Sequence, residues 1–161
     1  MSDGPTWTAE GRELVGGSAA GVALVLSDAL SFWGGVDPAS GLIIDRRHPE
    51  RGADISGRVL VMRHGRGSSS SSSVLAELLR EGHGPAAIVL RGADEIVALG
   101  ALVVELLDGV ARPVLVVDEE SYTRLRTGDR VSIRPGGRIS VTPADHSSMQ
   151  VTPRRGSGPP T

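Results

Sequence analysis

The 161-residue chain contains no cysteine, which excludes disulfides and any cysteine-ligated iron–sulfur cluster held by this chain alone. Lysine is absent too, so every basic side chain is arginine. That removes Schiff-base chemistry and the lysine of a phosphate-binding P-loop. Aromatic residues are 2% of the sequence, so each one present has to be placed where it packs or recognises something. No run of about 18 apolar residues occurs, and no transmembrane helix is expected. The formal charge of −2 gives no electrostatic footprint for nucleic acid or an anionic membrane. The opening residues Met1-Ser2-Asp3-Gly4-Pro5 lack the basic and apolar regions of a signal peptide. A cytoplasmic protein of one domain is expected, with enough chain for a real core.

What the chain does have is a serine run in a telling place. Gly65-Arg66-Gly67 leads into the serines Ser68 to Ser73. Before it, Gly57 to Met62 reads as a short apolar strand rich in β-branched residues. After it, Val74, Leu75, Leu78 and Leu79 fall on one helical face, and Gly82 supplies a stop. A polar loop between a strand end and a helix start sits where backbone N–H groups converge on an anion. The competing interpretation is a flexible serine linker. Linkers have polar flanks, and these flanks carry tight secondary-structure signals.

The segment Ser31-Phe32-Trp33-Gly34-Gly35-Val36-Asp37-Pro38 sets the only Phe and one of 2 Trp beside a glycine pair. Phe32 and Trp33 either anchor the loop in a small core or, with Gly34 and Gly35, meet a ligand or partner.

Read coarsely, short strands flank two helices. Arg12–Val15 and Gly21–Leu26 are predicted strands joined through Gly16-Gly17-Ser18, and Leu42-Ile43-Ile44 is another. Pro85–Leu90 and Val114–Val117 are apolar strands either side of Ile96–Leu107, which is apolar nearly all round and predicts a buried helix broken near Gly100. Val131–Ile133 and Ile139–Val141 form a hairpin around Pro135-Gly136-Gly137. Crossovers from Val59 to Val117 predict parallel pairing, and hairpins at both ends make the sheet mixed. Residues 1–10 are expected to be flexible, and 143–161, rich in Pro, Ser, Thr, Gly and Arg, to form a disordered tail.

Other constellations are missing. His48, His64, His83 and His146 lack metal-ligand spacing and read as solvated loop histidines. No Gly-x-Ser-x-Gly elbow is present, and the dinucleotide-type Gly65-Arg66-Gly67 has Ser70 where a third glycine belongs. Asp94 and Glu95 read as helix caps or a solvated face.

Several blocks in order carry a resemblance: Ser31 to Asp37, Gly41 to Pro49, Gly57 to Val61, Gly65-Arg66-Gly67-Ser68 leading into Val74-Leu75, Pro85 to Ile88, and Arg112 to Val117. Together they resemble the small subunit, or swivel domain, of aconitase X-type dehydratases, over a domain spanning 11–142. The resemblance implies an α/β fold, a swivelling β/β/α domain with a mixed sheet and two main helices. It implies a partner, the large catalytic subunit, which supplies cysteine ligands for an iron or iron–sulfur centre, with no cofactor or metal held by this chain. The reaction implied is dehydration of cis-3-hydroxy-L-proline, with 5-phosphomevalonate as the alternative substrate. The resemblance makes Ser68 the proton-abstracting base, with Arg66, Gly67 and Ser69 beside the substrate and Gly67 leaving space for it. Phe32, Trp33, Gly34 and Gly35 are expected at the partner interface. Ser71 stands where the family pattern, similar to Gly-Ser-x-x-Gly-Ser, has its second glycine. Two alternatives remain: Ser68 binds a carboxylate or phosphate while the partner supplies the base, or the chain is a non-catalytic partner-binding module.

Overall fold

The computed structural model describes residues 4–67 and 69–144. Apolar runs of four, each buried along its whole length, form two of the central strands: β4 (Val59–Met62) and β5 (Ala87–Leu90). A strand that alternates neither with polar residues nor with exposure has both faces covered. Here β4 and β5 pair in parallel with each other, β4 with β3 (Ala19–Val25), and β5 with β6 (Val114–Val116). After a short first helix, α1 (Phe32–Gly35), helix α2 (Ser70–Arg80) crosses between β4 and β5, and α3 (Glu95–Asp108) crosses between β5 and β6. These are the crossovers that the sequence predicts.

The remaining strands are antiparallel. β7 (Arg130–Arg134) and β8 (Arg138–Thr142) form the expected hairpin, β1 (Trp7–Glu10) adds beside β8, and β2 (Arg12–Val15) pairs with β6. The sheet runs β1-β8-β7-β3-β4-β5-β6-β2. Its two edge strands, β1 and β2, are joined by Gly11 alone, so the eight-stranded mixed sheet curls until it nearly closes. One apolar cluster fills the inside of the curl, including Val59, Val61, Val89, Leu115 and Ile139. A second lies between the outer faces of the parallel strands and the two helices, with Leu60, Met62 and Leu90 against Leu75, Leu78 and Val104. Two sheet layers and one helix layer result, the β/β/α arrangement expected.

Five expectations need correction. Residues Trp7–Glu10, read as flexible, form β1, with Trp7 opposite Val141 and the ring of Trp7 4.2 Å from the Arg124 guanidinium. β2 and β3 make no hairpin with each other, because Gly16 to Ser18 carries the chain from one side of the sheet to the other. Leu42-Ile43-Ile44 forms isolated bridges, to Val36 and Asp54, and no strand. α3 passes through Gly100 unbroken. A side chain there would meet the carbonyl oxygen of Ser72 at 2.8 Å, so glycine is what lets α2 and α3 cross this closely. α3 is also covered on one side only: Val97, Ala101 and Val104 are buried, whereas Leu99, Leu102, Leu106 and Leu107 face outward. The predicted tail begins at Pro143. Ala144 still donates its amide to Asp129 Oδ1 at 3.2 Å, and the rest of the tail lies outside the described residues. No described helix is long and apolar enough to cross a membrane.

Candidate functional site

Ligands in parallel α/β sheets meet the loops beyond the carboxyl ends of the strands. β4 ends at Met62, and the chain leaves it through Arg63, His64 and Gly65 toward the serine run. Gly65 bridges to Leu30 in parallel register, and the Arg66 amide donates to the Leu30 carbonyl at 3.1 Å. The segment after β3 is thereby pulled alongside the loop. This places Ser31 beside Gly67.

Gly67 has φ +114, a conformation that a side chain tolerates badly. A Cβ there would stand 2.7 Å from Ser31 Oγ and 3.0 Å from Ser71 Oγ. The space expected for substrate on that side is therefore filled by two hydroxyls. Ser31 Oγ donates to the carbonyl of Trp33 at 2.9 Å and lies 3.5 Å from Ser71 Oγ. Ser71 is buried and helical, so it does not reproduce a positive-φ glycine, and α2 takes in Ser70 to Ser73. Those four serines are not a linker.

Ser68 lies outside the described residues. Its neighbours are exposed: the Arg66 guanidinium has no salt-bridge partner among the described residues, and Ser69 precedes α2 with helical dihedrals and no side-chain capping bond. The Ser69 carbonyl accepts from the amide of Ser72 at 3.2 Å and from its hydroxyl at 2.7 Å, closing the first turn. Behind the loop, Leu30, Phe32, Gly65, Ser71, Asp94 and Val97 line a crevice of about 10 Å³. That is space for about one water, not a substrate. A ligand of this loop binds on its outer side and needs another surface to cover it. A groove of about 690 Å³ lies on the outer face of β1, β7 and β8 and shares no residue with the loop.

A family described as the aconitase X swivel domain matches residues 8–141. The chain belongs to that family. This swivel domain is 53% identical over 108 residues to the cis-3-hydroxy-L-proline dehydratase of Pseudomonas aeruginosa, covering 67% of this chain and 19% of that protein. It is 36% identical over 127 residues to the phosphomevalonate dehydratase small subunit of Thermococcus onnurineus, covering 78% of this chain and 90% of that one. The crystal structure of holo-form aconitase X from Thermococcus kodakaraensis matches with a TM-score of 0.75 at 35% identity, over 86% of this chain and 98% of that chain. The chain spans about a fifth of the length of the cis-3-hydroxy-L-proline dehydratases it matches.

In the swivel domain the residues expected at a partner surface divide. Trp33 is 64% exposed and Gly34 is exposed, whereas Phe32 is 1% exposed and Gly35 is buried. Phe32 belongs to the core beneath the loop and cannot meet a partner. His64 is exposed, as expected, with Nδ1 2.7 Å from the Gly65 carbonyl. His48 is not solvated: it is buried, with Nδ1 3.2 Å from Glu50 Oε2 and Nε2 3.2 Å from the Asp28 carbonyl. Glu50 Oε1 in turn accepts from the amide and hydroxyl of Ser27 at 2.9 and 2.6 Å. This network ties the 45–56 loop to the chain leaving β3. Ser31 and Asp94 are the site residues that sequence reasoning missed. Asp94 had only its helix-cap signal, and nothing local announced that its second oxygen reaches Gly65.

Proposed function

We propose that this chain is the small, swivelling component of an aconitase X-type dehydratase acting on cis-3-hydroxy-L-proline. The observation carrying this reading is 53% identity to a cis-3-hydroxy-L-proline dehydratase, against 36% to a phosphomevalonate dehydratase small subunit. The matched part is 19% of that dehydratase, and the match along 90% of a phosphomevalonate dehydratase small subunit supports assigning the rest of the site to a large subunit. The residues present do not fit an iron centre. The chain has no cysteine, and among the described residues no group of three His, Asp or Glu could hold a metal. In this reading an iron or iron–sulfur centre belongs to the large subunit, and no step here is assigned to it.

Dehydration breaks a C–H bond and the C–O bond on the neighbouring carbon. The C–H electron pair becomes the new C=C bond, and the hydroxyl leaves as water after taking a proton. Ser68 is assigned removal of the carbon-bound proton. A serine hydroxyl is a weak base unless its alkoxide is stabilised. Two positive sources lie in the loop's neighbourhood: the first-turn amides and dipole of α2, and the exposed guanidinium of Arg66. Closure against a partner expels water and strengthens both. Arg66 and Ser69 are assigned to the substrate, and exposed Trp33 with Gly34 to the large subunit. Gly67 serves the loop's conformation.

A second reading, with 5-phosphomevalonate as substrate, is favoured by the match along 90% of a phosphomevalonate dehydratase small subunit. Co-expression of the chain with its large subunit, followed by assay of both compounds, separates the two. The expected result is turnover of cis-3-hydroxy-L-proline by the pair and none by the isolated chain. Turnover of 5-phosphomevalonate alone selects the second reading. A stable pair inactive on both would leave a partner-binding module.

A further inference from the structure

Asp94 uses its two carboxylate oxygens for two different purposes. Oδ1 accepts the amides of Ile96 and Val97 at 3.0 and 3.1 Å, which caps α3. Oδ2 accepts the amide of Gly65 at 2.8 Å, from the strand end that carries Arg66 and Gly67 toward the serine run. Capping needs one oxygen, and Ser, Thr or Asn supply it about as well as Asp. The bond to Gly65 is a separate commitment, made 29 residues away in sequence. Leu30 fixes the same stub from the other side through its bridge to Gly65. The fit is close: a Cβ on Gly65 would lie 2.6 Å from Asp94 Oδ2 and 3.0 Å from Val97 Cγ2.

We infer that Asp94 is a positioning residue for the dehydration: by holding the Gly65 peptide it sets where Arg66 and Gly67, the residues that precede Ser68 in sequence, stand when the partner closes over them. The inference rests on the Ser68 reading above. Asp94 touches neither substrate nor reacting atoms. Its chemistry suits the task because a carboxylate accepts at both oxygens. An asparagine that keeps the cap turns its NH₂ toward the Gly65 amide, donor against donor.

The test uses the chain assembled with its large subunit and compares Asp94→Asn, Gly65→Ala and Ser68→Ala. A reacting group displaced by about 1 Å costs up to about a hundredfold, so Asp94→Asn is expected to lower kcat by about tenfold to a hundredfold. KM and Tm stay near those of the parent, and amide hydrogen exchange quickens over 63–69 but not along α3. Gly65→Ala pushes a methyl against the same carboxylate and is expected to lower kcat likewise, which decides the matter if Asp94→Asn does not fold. Parent-like kcat in the folded variants, beside an inactive Ser68→Ala, overturns the inference and leaves the Ser68 reading standing. A loss of activity that only follows a loss of Tm also overturns it. Full activity in Ser68→Ala overturns the reading on which the inference rests.

Discussion

The hydroxyls of Ser31 and Ser71 stand 3.5 Å apart, beside the place that a side chain on Gly67 would take. Two serines from distant parts of the chain thus converge on Gly67, whose φ is positive. Gly67→Ala is expected to cost about 1–3 kcal/mol, combining strained backbone with a clash. Urea unfolding checks this. The same variant, assembled with its partner, should lose turnover through a displaced loop.

Ser71→Gly tests the helical placement of Ser71. Similarity to the family pattern favours glycine at this position, but Ser71 is helical and buried. Glycine there is expected to destabilise by about 0.5 kcal/mol. A raised Tm for Ser71→Gly would contradict the placement.

Acid lability follows from Glu119. Hydrogen bonds from Arg63, and then from Arg91, at 3.1 and 2.8 Å hold its carboxyl below the ordinary value of 4.5. A carboxyl depressed in the folded state adds stability above its unfolded value, and that stability is lost as pH falls through the folded value. Tm should therefore drop as pH falls below 4.5. Glu119→Gln is expected to flatten this drop slightly, since the pair is half exposed and screened. Thermal melts across the acid range give the slope.

The covered side of α3, where Leu75 of α2 packs, and its outward face should respond differently. Leu75 is fully buried against α3, and Leu75→Ala is expected to cost about 2–5 kcal/mol. Leu106 is 76% exposed, and Leu106→Gln should leave the Tm of the isolated chain unchanged. A large loss from Leu106→Gln would mean that the outward face is covered within the chain.

The legible part of this fold was the part with local signals. β4, α2, β5 and the β7–β8 hairpin announce themselves through apolar runs bounded by Gly, Pro and polar loops. β1 was missed because Trp7–Glu10 alternates weakly, and its partner β8 lies at the far end of the chain. The apolar outward face of α3 could not be told from a buried one, because periodicity counts leucines and not their neighbours. Gly100 read as a break because a local rule cannot see α2 pressed against it. In the site, the Gly-rich loop was visible from its flanks. The contacts that shape it, Ser31 to Ser71 and Asp94 to Gly65, bring together residues 40 and 29 positions apart. Only the folded sheet puts them together. His48 was misread for the same reason, since its Nε2 meets the carbonyl of Asp28, 20 positions away.

The most direct test of the account is Ser68→Ala in the complex with the large subunit. Loss of a general base is expected to lower kcat by about a hundredfold to ten-thousandfold. Substrate affinity changes little, because the alkoxide acts in the transition state. Exchange of the substrate's carbon-bound proton with solvent deuterium should disappear along with turnover. Parent-like turnover and exchange in Ser68→Ala would contradict the assignment and move the base to the partner subunit.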